Sequence, residues 1–282
     1  MKIEKTADER HNGKKITEYL RYELSLSASL IKKVKYGHVF INGENVHMRA
    51  IVKTGDVITV TMPEDKSEGI RAIEMPLDII YEDDYLIAVN KPSDMPTHPS
   101  KGNNLPTLAE GIMAYYKDRR FVFRAINRLD RDTGGIVIIA KDAHTADKLS
   151  REMKAGGYVK KYVAIVDGTP NPKEGMIDAP IEREYEGNIK RIVRADGKRA
   201  ITEYKVIKEL DFGRSLCEIT LHTGRTHQIR VHMAHIGHPL TADFLYGTAV
   251  EKEKYKLHAK SIEFTHPISG ERMILNSKAD FE

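Results

Sequence analysis

Short apolar runs, each closed by a turn, recur from Leu77 onward and constrain the fold more than any other feature. The stretches "IVIIA", "KYVAIVDG" and "SLCEITLHTG" have strand-like length and composition. "LDIIYEDDYLIAVNKP" predicts a hairpin with its turn at Glu82 to Asp84, and "AITEYKVIKEL" precedes "SLCEITLHTG" across a loop at Asp211 to Arg214. A helix in "DAHTADKLSREM" has Asp142 as its candidate cap. Hairpin-like connections of unequal length predict an α+β fold rather than a doubly wound parallel sheet.

The first 62 residues carry a different pattern. "GKKITEYLRYELSLSASLIKKVKYGHVFINGENV" predicts two short helices and then a strand that turns at Asn42-Gly43. Ser27 or Ser29 is the candidate cap of the second helix. "VKTGDVITVTM" predicts a second strand pair around Gly55-Asp56.

A charged stretch bracketed by prolines separates the two patterns. Residues Pro63 to Pro76, "PEDKSEGIRAIEMP", have no apolar period and predict a linker. We therefore expect a small domain over residues 1–62, a linker over 63–76 and a larger domain over 77–282.

Composition excludes several protein classes. The 282 residues hold one cysteine, Cys217, which excludes an intrachain disulfide and a thiolate metal cage. No apolar run approaches the roughly 18 residues of a membrane span, and the polar N-terminus has no signal core, so we expect a cytoplasmic protein without membrane contact. A net charge of +4 does not by itself indicate a nucleic-acid partner, whereas cations gathered on one face would.

A strongly charged stretch, "INRLDRDTGG", stands directly before the apolar run "IVIIA". Asp130 lies between Arg128 and Arg131, with Asp132 two residues on. From the residues alone, a salt-bridged turn and a catalytic loop explain this arrangement equally well.

A histidine-rich stretch, "LHTGRTHQIRVHMAHIGHP", predicts a strand, a turn and a helix that Thr226 caps and that runs to Ile236. His227 and Arg230 share one face of it. A cation close to the positive end of a helix is best explained by an anion opposite it. The histidines spread around the helix without a His-Glu-x-x-His pattern, so we expect exposed or RNA-facing histidines and no metal. The core-facing residues are expected to be Ile229, Met233 and Ile236.

Two further stretches carry lysine or tyrosine side chains with two possible roles. Lys32, Lys33 and Lys35 form either a solvated helix face or a contact with RNA phosphates. In "KKYVAIVDG", alternation places Tyr162, Ala164 and Val166 on one strand face, so Tyr162 is either a core residue or part of a site.

Taken in order, five stretches resemble the RluA/RluD-type RNA pseudouridine synthases. They are "EDDYLIAVNKPSDMPTHPS", "NRLDRDTGGIVIIAKD", "KKYVAIVDG", "GKRAITEYKV" and "LHTGRTHQIRVHMAHIGHPLTADFLYG". The resemblance runs from about Leu77 to the C-terminus. It implies a mixed, mainly antiparallel sheet with flanking helices and a central cleft. "LSLSASLIKKVKYGHVFINGENV" and "KTGDVITV" resemble the alpha-L RNA-binding domain, which implies a grip on structured RNA.

The resemblance also implies roles for individual residues. Asp130 is the expected catalytic aspartate. Tyr162 is expected to stack on the target base and to act in proton removal. Arg230 is expected to hold Asp130 in its ionised form, by two hydrogen bonds from its planar fork. Expected contacts with RNA come from Asn127, Arg128, Thr133, Arg225, His227, Gln228, Lys32, Lys33 and Lys35.

The reaction isomerises uridine by breaking its glycosidic bond, rotating the uracil and rejoining it through carbon. No redox step occurs and no group is supplied, so we expect neither an organic cofactor nor a metal. The target base must leave its stack. Whether Asp130 attacks the sugar or takes a proton stays open.

Three positions depart from the family pattern. Asn127 stands where histidine is common, Gly134 where serine is usual, and Asp94 where glycine is typical. Asn127 and Gly134 flank the expected catalytic loop, so we expect these departures to affect the choice of substrate more than activity.

We expect a monomeric enzyme that acts on RNA, with large-subunit ribosomal RNA as its substrate. Two alternatives remain: the same enzyme acting on transfer RNA, and a non-catalytic RNA-binding or ribosome-assembly factor.

Overall fold

The structure is a computed structural model that describes residues 2–62, 69–100, 104–247 and 254–282. The N-terminal part consists of β1 (Lys2–Thr6), α1 (Ile16–Glu18), α2 (Ala28–Val34), β2 (Val39–Ile41), β3 (Glu44–Asn45) and β4 (Val57–Thr61). After α1 the helix continues as a wider, π-helical turn over Tyr19–Glu23. The strands form an antiparallel sheet in the order β1-β4-β2-β3, with a hydrophobic core of its own.

The prediction for this part is right in outline and wrong in two details. Ser27 caps α2 by accepting a hydrogen bond from Leu30 N at 3.2 Å, and Asn42-Gly43 forms the turn between β2 and β3. The strand pair predicted around Gly55-Asp56 is wrong, because only β4 follows that turn and its partners are β1 and β2. Strand β1 was not predicted, since four of its five residues are exposed.

The predicted linker lies only partly within the described residues. Residues 63–68 lie outside them, and residues 69–76 contain neither helix nor strand. Ile73 N donates to Glu110 O at 3.1 Å, so this segment lies along the next helix rather than apart from the fold. The domain boundaries stay a prediction.

The larger part of the chain forms a second sheet with helices against it. Its helices are α3 (Leu108–Tyr115), α4 (Ala143–Lys154) and α5 (Gln228–His235). Its strands are β5 (Ile79–Glu82), β6 (Leu86–Lys91), β7 (Gly134–Ala140), β8 (Val159–Asp167), β9 (Glu174–Asp178), β10 (Ile181–Arg183), β11 (Arg191–Val193), β12 (Ile201–Leu210), β13 (Arg214–Leu221), β14 (Leu257–Thr265) and β15 (Arg272–Asn276). The sheet order is β5-β6-β7-β14-β8-β13-β12-β9, with β15 on β14 and with β10 and β11 as a separate hairpin.

Pairing within the large sheet is antiparallel except between β7 and β14, among the strands that the structure describes. The predicted α+β class, with a mixed and mainly antiparallel sheet, is confirmed. The predicted hairpin is β5-β6, and the predicted helix is α4, whose cap Asp142 accepts hydrogen bonds from His144 N and Thr145 N. No helix within the described ranges combines the length and the apolar character needed to cross a bilayer.

Strand β7 is buried on both faces because hydrophobic residues cover each side. Val137 and Ile139 join the core that also contains Tyr162, whereas Ile136 and Ile138 pack with Leu149 of α4. A strand covered on both faces reads as a continuous apolar run, which is the pattern of "IVIIA". The loop before β7 is therefore anchored to the centre of the sheet.

Helix α4 also contacts the N-terminal part. Ala143 packs against the N-terminal core, and the Arg151 side chain donates a hydrogen bond to the carbonyl of Ser25. The C-terminal end of α4, Met153 and Lys154, reaches the cleft described below.

Candidate active site

A cleft of about 630 Å³ opens where the loop before β7, strand β8 and the start of α5 meet. Asp130, Tyr162 and Arg230 all line this cleft. So do the other residues predicted in these segments: Asn127, Arg128, Thr133, Arg225, His227 and Gln228. Lys32, Lys33 and Lys35 lie elsewhere, exposed at the end of α2. The structure thus brings together nine of the twelve predicted site residues.

Arg230 binds the carboxylate of Asp243, a partner that was not predicted from the sequence. Its Nε and Nη2 donate to the two carboxylate oxygens of Asp243 at 2.7 and 2.8 Å, whereas Nη1 lies 3.8 Å from Oδ2 of Asp130. The prediction that the fork of Arg230 holds Asp130 by two hydrogen bonds is therefore wrong. Arg230 points its third nitrogen at Asp130 while Asp243 holds the other two.

The surroundings of Arg230 fix its position and keep it charged. Its guanidinium lies between the rings of Tyr255 and Tyr246, with centroids 4.4 and 4.9 Å away. Burial alone would lower the pKa of Arg230, but the hydrogen bonds to Asp243 and the nearby acidic groups outweigh burial and raise it. A sequence signal for Asp243 did exist, because a cation on a core-packed helix needs a buried carboxylate and "LTADFL" places an aspartate among apolar residues.

Helix α5 begins later than predicted. Its cap is His227, with the left-handed φ of 58°, rather than Thr226, and the helix ends at His235. The predicted core face is confirmed, because Ile229 and Met233 are buried and Ile236 packs against the same cluster.

His227 lies between Asp130 and Tyr246. Its Nε2 is 3.8 Å from Oδ2 of Asp130, and its Nδ1 is 2.7 Å from the hydroxyl of Tyr246. Burial lowers the pKa of His227, although Asp130 opposes that effect. The imidazole is therefore neutral at neutral pH.

The histidines of α5 do not share one environment. His235 is exposed, as predicted, but His232 is fully buried between Thr202 Oγ1 at 2.9 Å and Ala179 O at 2.8 Å. The prediction of exposed or RNA-facing histidines is wrong for His232, because its ring joins α5 to the sheet. Within the described ranges, no group of three or more His, Cys, Asp or Glu side chains is arranged to hold a metal ion.

Gln228 is a structural residue rather than an RNA contact. Its Oε1 accepts from Arg225 N and Thr223 Oγ1 at 2.9 Å each, while its Nε2 donates to Ile201 O at 2.9 Å and to Thr202 Oγ1 at 3.0 Å. These four bonds saturate the amide, which corrects its predicted role.

The side-chain amide of Asn127 forms hydrogen bonds with the backbone of β7. Its Nδ2 donates to Ile136 O at 2.8 Å, and its Oδ1 accepts from Ile138 N at 2.9 Å. The side chain thus fastens the loop of Asp130 to β7. These two bonds use half of the hydrogen-bonding capacity of the amide, and Asn127 lines the cleft, so its predicted contact with RNA stays a prediction.

Lys91 forms hydrogen bonds that hold the loop of Asp130 from its buried side. This fully buried lysine donates to the carbonyls of Pro92, Met95 and Arg131 at 2.8, 2.7 and 3.1 Å. Burial lowers its pKa to about 8, although Asp132, Asp130 and Asp94 oppose that effect. No pattern in the sequence indicates this role.

The charges next to Asp130 in the sequence are not its partners. Arg131 donates to both oxygens of Asp132 at 2.9 and 3.0 Å, and Arg128 is exposed. The side chain of Asp130 is 32% exposed and faces Arg230 and His227. The charged stretch "INRLDRDTGG" is thus both a salt-bridged turn and the segment that places the Asp130 carboxylate in the cleft.

Tyr162 lies on β8 and is 7% exposed. It shares a core with Ala164 and Val166, so the predicted strand face is confirmed. Burial, and then the charge of Asp130, raises the pKa of Tyr162. Its ring is therefore a neutral surface beside a carboxylate.

The remaining predicted residues differ in access. Thr133 is buried, with its hydroxyl 3.4 Å from that of Tyr255. Arg225 is exposed at the rim, where its Nε donates to Arg199 O at 3.0 Å.

Known proteins resemble this chain over most of its length. The family described as RNA pseudouridylate synthase matches residues 85–235. An RNA pseudouridine synthase of Bacillus subtilis (strain 168) is 39% identical over 257 residues, which cover 89% of this chain and 90% of that protein. Ribosomal large subunit pseudouridine synthase D of Vibrio cholerae is 36% identical over 255 residues, which cover 84% of this chain and 78% of that protein.

A solved structure has the same fold. The human protein RNA pseudouridylate synthase domain containing 1 superposes with a TM-score of 0.62 at 24% identity, over 73% of this chain and 85% of that one. The pseudouridine synthase fold expected for the larger part of the chain is thereby confirmed.

Proposed function

Because this chain belongs to the RNA pseudouridylate synthase family, it is an isomerase that converts uridine in RNA to pseudouridine, and we propose large-subunit ribosomal RNA as its substrate. Relatives from Pasteurella multocida, Vibrio cholerae and Neisseria meningitidis, each 36% identical, are named ribosomal large subunit pseudouridine synthase D. That shared name supports the proposed substrate. It also supports the cytoplasm, where ribosomal RNA is assembled and used in bacteria, as the place of action.

The observation that carries the catalytic proposal is one carboxylate aimed into a cleft between a fixed cation and a buried ring. Asp130 lies 3.8 Å from Arg230, and burial and Asp130 together raise the pKa of Tyr162. The cleft volume of about 630 Å³ is in the range that a small ligand fills, here a nucleotide turned out of its stack.

We assign Asp130 as the catalytic residue. In the reaction the bond from N1 of uracil to C1′ of ribose breaks and a bond from C5 to C1′ forms. The hydrogen on C5 is lost and N1 gains one, so nothing is added overall. Asp130 is the carboxylate placed to meet the sugar and base, and Arg230 attracts its charge from a position that Asp243 fixes.

Tyr162 is assigned to stacking on the uracil. Its raised pKa keeps the phenol protonated at neutral pH, so the ring presents a neutral face to the base. The part of Tyr162 in removing the C5 proton stays a prediction; a protonated phenol is a poor acceptor, so a carboxylate has to take that proton.

The N-terminal part is assigned to binding structured RNA. Lys32, Lys33 and Lys35 place three cations at the exposed end of α2, where they can neutralise phosphates. The residue pattern supports an alpha-L domain over residues 1–62.

Pseudouridine mapping of total RNA from cells with and without this gene tests the substrate. We expect one or a few uridines of large-subunit ribosomal RNA to lose modification in the deletion strain. Loss confined to transfer RNA would overturn the ribosomal assignment. Loss nowhere would favour a non-catalytic RNA-binding factor.

A further inference from the structure

Lys160 places a second, unassigned cation in the cleft. It lies two residues before Tyr162 on β8 and on the same strand face, and both side chains line the cleft. The residue as a whole is 9% exposed, so Lys160 is mostly buried at the wall of the cleft.

This ammonium has no partner within the described part of the chain, where no carboxylate or carbonyl bonds to it. Burial alone lowers the pKa of Lys160, without a contribution from any carboxylate. Two comparable lysines do have partners. Buried Lys91 donates hydrogen bonds to three carbonyls, and the neighbouring Lys161 forms an ion pair with Glu218 at 3.5 Å. Burying an unpaired ammonium destabilises a fold, which indicates a partner that arrives with the ligand.

The position of the ammonium identifies the chemistry of that partner. Gly224 faces it without a side chain, since a Cβ on Gly224 would stand 3.4 Å from Nζ. Lys160 and Tyr162 are separated by two residues of strand, about 6.6 Å. One nucleotide can span that distance from its base to its backbone. The anion that RNA brings there is a phosphodiester.

We propose that Lys160 binds a phosphodiester group adjacent to the flipped uridine and thereby positions the base between Tyr162 and Asp130. This inference rests on the proposed function. Lys160 is a positioning residue, because it holds the backbone rather than the reacting atoms. A phosphate fits better than a uracil carbonyl, since a desolvated ammonium gains most from an acceptor that carries full charge.

The test compares Lys160→Met with Lys161→Met, a matched control on the opposite strand face. The probe is a short RNA spanning the mapped uridine, made in three forms: native, and with an uncharged methylphosphonate at either flanking phosphate. We expect Lys160→Met to weaken binding about tenfold or more and to raise KM more than it lowers kcat. Its slope of log affinity against log salt should fall by about 0.7, the contribution of one phosphate on a single strand.

The modified RNAs locate the contact. At one of the two flanking phosphates, the methylphosphonate should weaken RNA binding by the wild type and by Lys161→Met. The same substitution should leave RNA binding by Lys160→Met unchanged. Equal sensitivity of wild type and Lys160→Met at both phosphates would overturn the proposal, as would equal salt slopes.

Stability separates this role from a structural one. Lys160→Met should raise the midpoint of thermal unfolding, because it removes a buried unpaired charge, and Lys160→Arg should keep the RNA contact. A lower midpoint together with wild-type affinity would show that Lys160 serves the fold. Failure of the proposed function would appear separately, as a wild-type protein that forms no pseudouridine.

Discussion

Replacement of Asp243 by asparagine should reduce catalysis even though Asp243 lies behind Arg230 and lines no part of the cleft. The Asp243 carboxylate accepts four hydrogen bonds: two from Arg230, one from Leu245 N at 3.0 Å and one from Tyr246 N at 3.2 Å. Asparagine keeps the shape but loses the charge, and it sets an amide N–H₂ against groups that are all donors. The guanidinium of Arg230 then loses its anchor.

The magnitude follows from the burial of both partners. Breaking a buried ion pair costs about 3–5 kcal/mol, because one charge is left without compensation. A misplacement of about 1 Å near reacting atoms lowers a rate on the order of 100-fold. We therefore expect Asp243→Asn to lose about 3 kcal/mol of unfolding free energy and about 100-fold in the rate of pseudouridine formation.

Two assays separate the effects. Urea unfolding measures stability, and single-turnover kinetics at a temperature where the variant remains folded measures chemistry. Asp94→Asn is the matched control, because its ion pair with Lys254, at 2.7 Å, is half exposed and is worth at most about 1 kcal/mol. A folded Asp243→Asn protein with the wild-type rate would refute the idea that Asp243 positions Arg230.

Three other predictions address the carboxylate, the histidine and the N-terminal part. Asp130→Asn should abolish pseudouridine formation, measured by RNA mapping, while RNA affinity measured by filter binding stays within about twofold of the wild type. The wild-type rate should hold from neutral pH down to 6.5 and fall only below it, because the pKa of His227 is lowered from that value and its protonation would draw Asp130 away from Arg230. The variant His227→Gln should therefore lose this fall in rate at acidic pH. If the rate of the variant still falls, the titrating group is not His227. Deleting residues 1–62 should weaken binding to large structured RNA at least tenfold but retain activity on a short accessible uridine, and unchanged affinity for large RNA would contradict an RNA-binding role.

The sequence predicted the strands whose own residues form an apolar run or alternate between apolar and polar. Strands β7, β8 and β13 are apolar runs or alternate cleanly, and they form the centre of the sheet. Strand β14, in contrast, carries His258, Lys260 and Glu263, and its parallel pairing with β7 joins residues more than 120 positions apart. Strands β10 and β11 contain three residues each. Neither long-range pairing nor so short a strand leaves a local pattern.

The residues of the candidate site also fall into a group that sequence motifs mark and a group that only the fold reveals. Asp130, Tyr162 and Arg230 could be singled out because motifs mark them, and the structure places all three in one cleft. A buried carboxylate partner for Arg230 could be expected from the sequence, but which aspartate supplies it, and which carbonyls Lys91 meets, depend on the groups that come together in space. Spacing along the chain does not encode that information. The sequence thus indicated which groups gather in the cleft, and the expected ion pair of Arg230 with Asp130 is present at 3.8 Å, but the two hydrogen bonds of the fork go to Asp243 instead.

The two departures that flank the catalytic loop take on a different meaning in the structure. Asn127 bonds to the backbone of β7, and a Cβ at Gly134 would stand 3.0 Å from Nδ1 of His258. His258 in turn bonds Ser277, which bonds Asn90. Gly134 therefore makes room for a buried polar chain behind the loop, and a serine there would require His258 to move.

Asn127 lines the cleft but bonds its amide to β7, and Gly134 faces His258, so we expect their effect on RNA to pass mainly through the position of Asp130. The exposed cations at the rim, Arg128 and Arg225, are instead free to differ in their contacts without disturbing that position. Differences in target choice between this chain and its relatives should therefore map to the rim. Differences at Asn127 and Gly134 should change the rate on every uridine alike, because they move the carboxylate and not the surface that RNA meets.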